Sequence, residues 1–261
     1  NTSYISHDIV YSLCEDNSQN LWIGTIAGID KLDLKRKKFH HYKKTDDPAS
    51  VDLLDNVIAS LYKDEEGRLW IGNWNKGLNI LDRRSGKVVQ YSSSLRGKRH
   101  IPENNLHVIF RDSKARLWIG TRNGVFLYDR KTDRFIPFQE YLGVEDSGYF
   151  VQNRVYCIIE DTGGSIWIGT GNGIFILNPG TKAISIFQAD ATTSPVISNN
   201  LVYSLLEDRD RHIWIATSSG LDRYIPRNGT MIHYVLQPGS ENTLCDNYAI
   251  SLCEDHSSNI W

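Results

Sequence analysis

Long apolar runs are missing from this sequence. None of its 261 residues lies in a stretch approaching the roughly eighteen apolar side chains of a membrane-spanning helix, so no membrane span is expected. An excess of one charge is missing too. The formal net charge of −2 excludes the basic footprint of a nucleic-acid binder. Cysteine is scarce: Cys14, Cys157, Cys245 and Cys253 are too scattered for a disulfide scaffold, and no Cys-x-x-Cys serves zinc or redox chemistry. No His-Glu-x-x-His occurs, and His40-His41 lacks metal-ligand spacing. Asp16 to Asn20 only faintly copies a calcium loop, without its Gly and distal Glu. No Ser-His-Asp arrangement is recognisable. The expected catalytic residues, metals and cofactors are therefore none. Asn1 to Tyr4 lacks the basic start of a secretory signal, but a trimmed secreted chain would look the same, so the compartment stays open.

What is present is aromatic and periodic. Six of the seven Trp (Trp22, Trp70, Trp118, Trp167, Trp214 and Trp261) are spaced 48, 48, 49, 47 and 47 residues apart. Their surroundings agree, as in Leu21-Trp22-Ile23-Gly24-Thr25 and Ile166-Trp167-Ile168-Gly169-Thr170. Six positions before each Trp stands an Asp: Asp16, Asp64, Asp112, Asp161, Asp208 and Asp255. A Gly follows each complete Trp position: Gly28, Gly77, Gly124, Gly173 and Gly220. Fixed self-similarity at this period marks a repeat architecture.

Each period reads as four short strands, in the first copy Val10 to Cys14, Leu21 to Ile23, Ile29 to Leu34 and Phe39 to Tyr42. No twelve-residue stretch sustains a helical period. Four strands every ~48 residues predict an all-β chain, a β-propeller of four-stranded antiparallel blades. The blades are expected at 7–52, 53–101, 102–150, 151–197 and 198–244, with a partial sixth at 245–261. The chain then reads as a piece of a longer array, because a ring ending inside a blade does not close by ordinary pairing.

The repeated residues have expected structural roles. The small residue four before each Asp (Ser12, Ser60, Val108, Cys157, Ser204 and Ser251) keeps the first strand thin. Each Trp fills the space between neighbouring sheets. Each Asp accepts from turn N–H groups, and the Gly before each third strand supplies positive φ. Two departures, Gly at the third residue after Asp only as Gly67 and Gly164, and Ala216 in place of the first Gly after Trp, read as drift in turns. The Glu-Asp pairs read as turn acids, since a catalytic pair would not be copied around a ring. Gly169 to Gly173 looks like a phosphate loop, but every period has its counterpart and no helix follows.

The pattern Asn153-Arg154-Val155, Glu160-Asp161, Ile166-Trp167-Ile168-Gly169-Thr170-Gly171-Asn172-Gly173 resembles the two-component regulator propeller repeat, and the resemblance runs through five copies and part of a sixth. It implies the periplasmic sensing region of a Bacteroidetes hybrid two-component protein, with seven-bladed propellers and, elsewhere in the parent, an immunoglobulin-like domain, a membrane helix, a histidine kinase, a receiver and a DNA-binding domain. It also implies oligosaccharide signals, location on the extracytoplasmic side of the inner membrane, and the remainder of the sensor as a partner. A homodimer is a further partner to consider.

Blade geometry sorts the connections. The first-to-second and third-to-fourth strand turns share one face. The second-to-third turns and the variable links between blades share the other, where recognition is expected. Trp74 is the one Trp outside the repeat position, in the enlarged turn Asn73-Trp74-Asn75-Lys76-Gly77. It either stacks on a sugar ring, with Asn73 and Asn75 bonding hydroxyls, or caps the blade by packing on a neighbour. Arg122, Asn123, Asn172 and Ser218 occupy the matching turns, as ligand contacts or as turn residues. The residues opening the first strands (Asp8, Asn56, Asn104, Asn153, Asn200 and Asn247) recur in every period and read as caps. Asn105, Arg154 and Tyr248, one position on, are candidates for the mouth. Arg154 pairs with an acidic sugar or with Glu145 or Asp146. Tyr149, Phe150 and His107 are further aromatic candidates. Three functions compete: an oligosaccharide-sensing module without catalysis, a scaffold for dimerisation or docking, and a propeller lyase or glycan hydrolase, which requires a single-copy cluster of acids, bases or metal ligands.

Overall fold

The computed structural model describes residues 4–44, 53–143, 153–190, 192, 195–240 and 243–261. Five four-stranded sheets, all antiparallel and each in sequence order, make up almost all its regular structure. The chain divides into two compact units, Asn1–Arg111 with Arg116–Asp146, and Asp112–Ala115 with Ser147–Trp261.

The first unit holds three sheets: β1 (Val10–Glu15), β2 (Asn20–Thr25), β3 (Gly28–Asp33) and β4 (Lys38–Tyr42); β5 (Ile58–Lys63), β6 (Leu69–Asn73), β7 (Leu78–Leu81) and β8 (Val88–Tyr91); β9 (Leu106–Arg111), β10 (Leu117–Thr121), β11 (Gly124–Asp129) and β12 (Arg134–Pro137). β1 packs on β5, and β5 on β9. The second unit holds β13 (Val155–Glu160), β14 (Ile166–Thr170), β15 (Gly173–Leu177) and β16 (Ile184–Phe187), then β17 (Val202–Glu207), β18 (Ile213–Thr217), β19 (Gly220–Ile225) and β20 (Thr230–Tyr234), with β13 on β17. A bridge between Glu254 and Ile260 starts the next repeat.

Among the described residues the one α-helix, α1 (Phe138–Leu142), opens a link that the sequence marks as variable. Five residues are too few to show a helical period. Gly143 closes it in the left-handed conformation, its N–H reaching the carbonyls of Gln139 (3.0 Å) and Glu140 (3.1 Å). Phe138 and Tyr141 of α1 then cover the Trp118 indole.

Close approach of strands explains the Gly after each Trp-Ile. A Cβ on Gly72 would lie 2.3 Å from Ser60 Oγ and 3.1 Å from Leu106 Cβ of the next blade. Gly24 meets Ser12 and Ile58 in the same way, and Gly169 meets Cys157 and Val202. The Ser12 and Ser60 hydroxyls are buried without a hydrogen-bond partner, so these serines are present for their size. Ala216 is not turn drift: it is fully buried inside β18. The residue of the next repeat that matches Ile58, Leu106 and Val202 is Ala249, and its small side chain leaves room for the extra methyl.

The position three after each Asp is not drift either. Gln19, Gly67, Ala115, Gly164, Arg211 and Ser258 all have φ between +60° and +82°. The turn imposes a left-handed residue whatever its type, and a non-glycine there costs roughly 1–2 kcal/mol. Ala115→Gly is therefore expected to stabilise the chain by about 1 kcal/mol in denaturant melts, after allowing for the extra unfolded-state entropy of Gly. A loss of stability would refute the reading.

The repeated Asp does more than close its turn. Oδ1 accepts from turn N–H groups, as with Ser18 on Asp16 (2.8 Å) and Ser165 on Asp161 (2.8 Å). Oδ2 accepts the indole Nε1–H of the Trp six residues on. Trp22–Asp16 and Trp70–Asp64 are 2.9 Å, Trp167–Asp161 2.7 Å, Trp214–Asp208 2.8 Å and Trp261–Asp255 3.0 Å.

The residue before each Asp latches the turn of the preceding repeat. Glu160 accepts from Ser113 N (2.6 Å) and Oγ (2.7 Å), and Glu207 from Thr162 N and Oγ (2.8 Å each). Lys63 donates to Asn17 (2.5 Å), and Arg111 pairs with Glu65. Where the latch loses its acid, the partner changes to suit the cation.

Candidate functional site

The turns between second and third strands are built by Thr. Thr25, Thr121, Thr170 and Thr217 each donate from Oγ1 to the carbonyl three residues on (2.8–3.0 Å) and are buried. In the second blade Asn73 takes this place, and its turn is one residue longer. Asn73 is fully buried, with Nδ2 on the carbonyls of Asp55 (3.1 Å) and Val57 (3.3 Å) and Oδ1 accepting from Asn79 (2.6 Å). This corrects its reading as a ligand contact: its amide is consumed in replacing the Thr.

Trp74 follows. Its ring stands between Tyr11 (centroids 5.4 Å apart) and His107 (5.0 Å, edge-on). Both belong to first strands, at the position that in the second blade is Ala59. The longer turn brings an indole between two rings where the strand itself supplies only a methyl. Trp74 is half-buried, so it both packs on neighbours and keeps part of its surface exposed.

Beside it lies a cleft of about 290 Å³ lined by Asn75, Glu103, Asn104, Asn105, Arg122 and Asn123. Four of these were singled out from sequence. Glu103 organises the cleft: Oε1 accepts from the N–H groups of Asn104 (2.8 Å) and Asn105 (3.0 Å), and Oε2 from Asn123 Nδ2 (2.5 Å). Asn105 is only 5% exposed and donates from Nδ2 to Asn75 Oδ1 (3.0 Å). Its carbonyl Oδ1 is buried with no hydrogen-bond partner. The Arg122 backbone N–H is fixed on the Asn105 carbonyl (3.0 Å) and its side chain is exposed.

The other sequence candidates lie in the second unit and do not line this cleft. The Arg154 guanidinium lies 5.9 Å from the Tyr156 ring centroid. Tyr156 meets Tyr203 (5.2 Å), and Tyr203 meets Tyr248 (5.2 Å) with their hydroxyls hydrogen-bonded. Loss of solvent and the bond to Tyr248 push the Tyr203 phenol up to about 12. The Asn172 side chain and carbonyl accept from Gln188 Nε2 (3.3 and 3.2 Å). Glu145, Asp146, Tyr149 and Phe150 lie outside the described residues.

One arrangement was not visible from sequence. Buried Asp222 accepts from Ser198 N (2.7 Å) and Oγ (2.5 Å), and its Oδ1 lies 2.7 Å from His233 Nδ1. Ser198 Oγ meets the same Nδ1 at 3.1 Å. A hydrolytic triad needs the serine and the acid on opposite imidazole nitrogens, so this is a tie holding a link to the third strand. Ser6, Asp30 and His41 repeat it in the first blade. Among the described residues no group of three His, Cys, Asp or Glu could hold a metal ion.

The sequence pattern of the two component regulator propeller matches residues 4–27, 52–75, 149–172 and 197–219. Four segments of the chain thus match this repeat. Two solved structures with which the chain shares a fold are extracellular domains from B. thetaiotaomicron. One, of a protein described as a one component system, is 22% identical over 100% of this chain and 33% of its own, with TM-score 0.77. The other, of a protein described as a hybrid two component system, is 21% identical over 98% and 39%, with TM-score 0.64. Virginiamycin B lyase from Staphylococcus aureus is 14% identical over 97% and 76%, with TM-score 0.63. At these identities the likeness is one of fold, an all-β propeller of four-stranded blades. The chain spans 33% and 39% of the two extracellular domains. No curated protein matches the sequence.

Proposed function

We propose that the chain is an extracytoplasmic ligand-sensing module of a hybrid two-component signalling protein, and that it recognises an oligosaccharide in the cleft formed by Asn75, Asn105, Arg122 and Asn123 beside Trp74. The regulator repeats and the extracellular domains that share the fold support the module. The buried, unpartnered Asn105 carbonyl facing a polar cleft carries the choice of site. Leaving such an acceptor unmet costs roughly 1–3 kcal/mol, and a ligand hydroxyl would meet it. Amides and a guanidinium serve hydroxyl oxygens as donors, while the half-exposed indole offers an apolar face to a sugar ring. Binding transmits a signal only through different affinity for two arrangements of the parent.

Isothermal titration against a panel of oligosaccharides tests the reading. One or more are expected to bind, and Asn105→Leu is expected to weaken that binding about tenfold or more, because a bond that forms only in the complex is lost. Thermal stability should change little: the apolar side chain of similar volume removes the unmet acceptor, and the bond it gives up leaves Asn75 Oδ1 on an exposed residue that water reaches. Absence of binding across the panel, or unchanged affinity in the variant, would refute it.

A further inference from the structure

The cleft beside Trp74 carries a charge bias that recognition of sugar hydroxyls does not use. Of the five turns between second and third strands, only two contain a charged residue: Lys76 in the second blade and Arg122 in the third. Both are cations, and these are the two turns that border the cleft, one through Asn75 and the other through Arg122 and Asn123. Both side chains are exposed, and among the described residues neither enters a hydrogen bond or ion pair.

The link that ends at the cleft has the same sign. Of the five links between blades, the stretch from Ser92 to Glu103 alone holds more cations than acids: Arg96, Lys98 and Arg99 against Glu103. The three cations are exposed, around a single 3₁₀ turn over Gly97–Arg99. The base of this loop is closed at the cleft, where Ser93 N donates to Asn104 Oδ1 (2.8 Å) and Asn104 Nδ2 donates to Ser93 Oγ (2.8 Å). Glu103, the one acid in the lining, has both oxygens engaged by N–H groups of Asn104, Asn105 and Asn123. The charged group left to meet a ligand is therefore the Arg122 guanidinium.

We infer, resting on the oligosaccharide reading above, that the saccharide taken by this cleft is acidic: its carboxylate or sulfate meets Arg122, while the amides and the Asn105 carbonyl take neighbouring hydroxyls. A guanidinium fork matches the paired oxygens of either group. Lys76 and the cations of the link add a positive field that draws an anion toward the cleft. A uronate carboxylate and a sulfate ester share this chemistry, so both enter the test.

Isothermal titration compares trigalacturonate with its full methyl ester, and neocarrabiose sulfate with neocarrabiose. Within each pair the sugar is the same and only the charge differs. The charged member of at least one pair is expected to bind at least about tenfold more tightly than its partner, and to lose that advantage in high salt. Arg122→Gln keeps an amide donor but removes the charge, and should bring the two members within about twofold of each other. Asn105→Leu should weaken both members alike, because the contact it deletes is to a hydroxyl. Equal binding within both pairs, or a preference that survives Arg122→Gln, overturns the acidic assignment and leaves the oligosaccharide reading standing. So does binding of a neutral oligosaccharide when neither charged probe binds. Absence of binding by every saccharide removes both.

Discussion

Trp70→Ala is expected to destabilise the first unit by about 3–5 kcal/mol in denaturant melts, the usual range for truncating a buried indole. Trp70 is fully buried in an apolar cluster with Leu78, Ile80 and Tyr91 of its own blade and Leu106, Ile109, Leu117, Ile119, Phe126 and Phe135 of the next. Its truncation therefore opens a cavity between two sheets. The edge-on contact with Tyr128 adds to the area term. The indole also satisfies Asp64 Oδ2, which would keep only Arg68 Nε at 2.7 Å. Trp70→Phe separates the two effects. It keeps most of the ring volume and deletes the donor, and should cost roughly 1.5–3 kcal/mol, the range for a hydrogen bond to a charged group. Equal losses in the two variants would put the bond above the packing. A loss below about 1 kcal/mol for the Ala variant would rule out the inter-blade role.

The legibility of the molecule followed the repeat. Period, strand order and the face carrying each turn could all be read, because a residue type recurring at one spacing can be averaged over copies. Asn75, Arg122 and Asn123 stood out in the second-to-third strand turns and Asn105 at the variable position after the strand-opening residue, and the structure brings the four to one cleft. The same averaging misled where a departure was structural. Asn73 looked like a sugar ligand beside Trp74, yet it stands at the Thr position and inherits the Thr role. The Asp–Trp bond went unseen although both residues were aligned, because a six-residue separation gives no hint that a hairpin folds one over the other.

The Asp–Trp bonds also set how the fold responds to acid. Burial by itself would raise the carboxyls of Asp16, Asp64 and Asp208, but the bonds they accept outweigh it, and all three are held below the usual carboxylate range. For Asp16 the opposing bonds come from the Trp22 indole, Asn20 and Ser18, and for Asp64 from the Trp70 indole and Arg68. For Asp208 they come from His212 and the Trp214 indole. A carboxyl depressed in the folded state is ionised there while the unfolded chain, titrating near pH 4, already binds a proton. The stabilisation is thus complete above the unfolded value and drains away as pH falls through the folded one. The thermal midpoint should be flat from pH 7 to about pH 5 and decline steadily below about pH 4. Tryptophan emission should change with it, because protonation removes the charged acceptor from each indole N–H. Asp64→Asn keeps an acceptor oxygen at one indole but cannot titrate, so it should lower stability at pH 7 and flatten the decline. The repeat makes the effect collective: the same bond recurs along the chain, so acid weakens several blades over one pH window. A midpoint unchanged down to pH 3 would mean that these carboxylates contribute nothing through ionisation, and that the indole bonds are held equally well by the neutral acid.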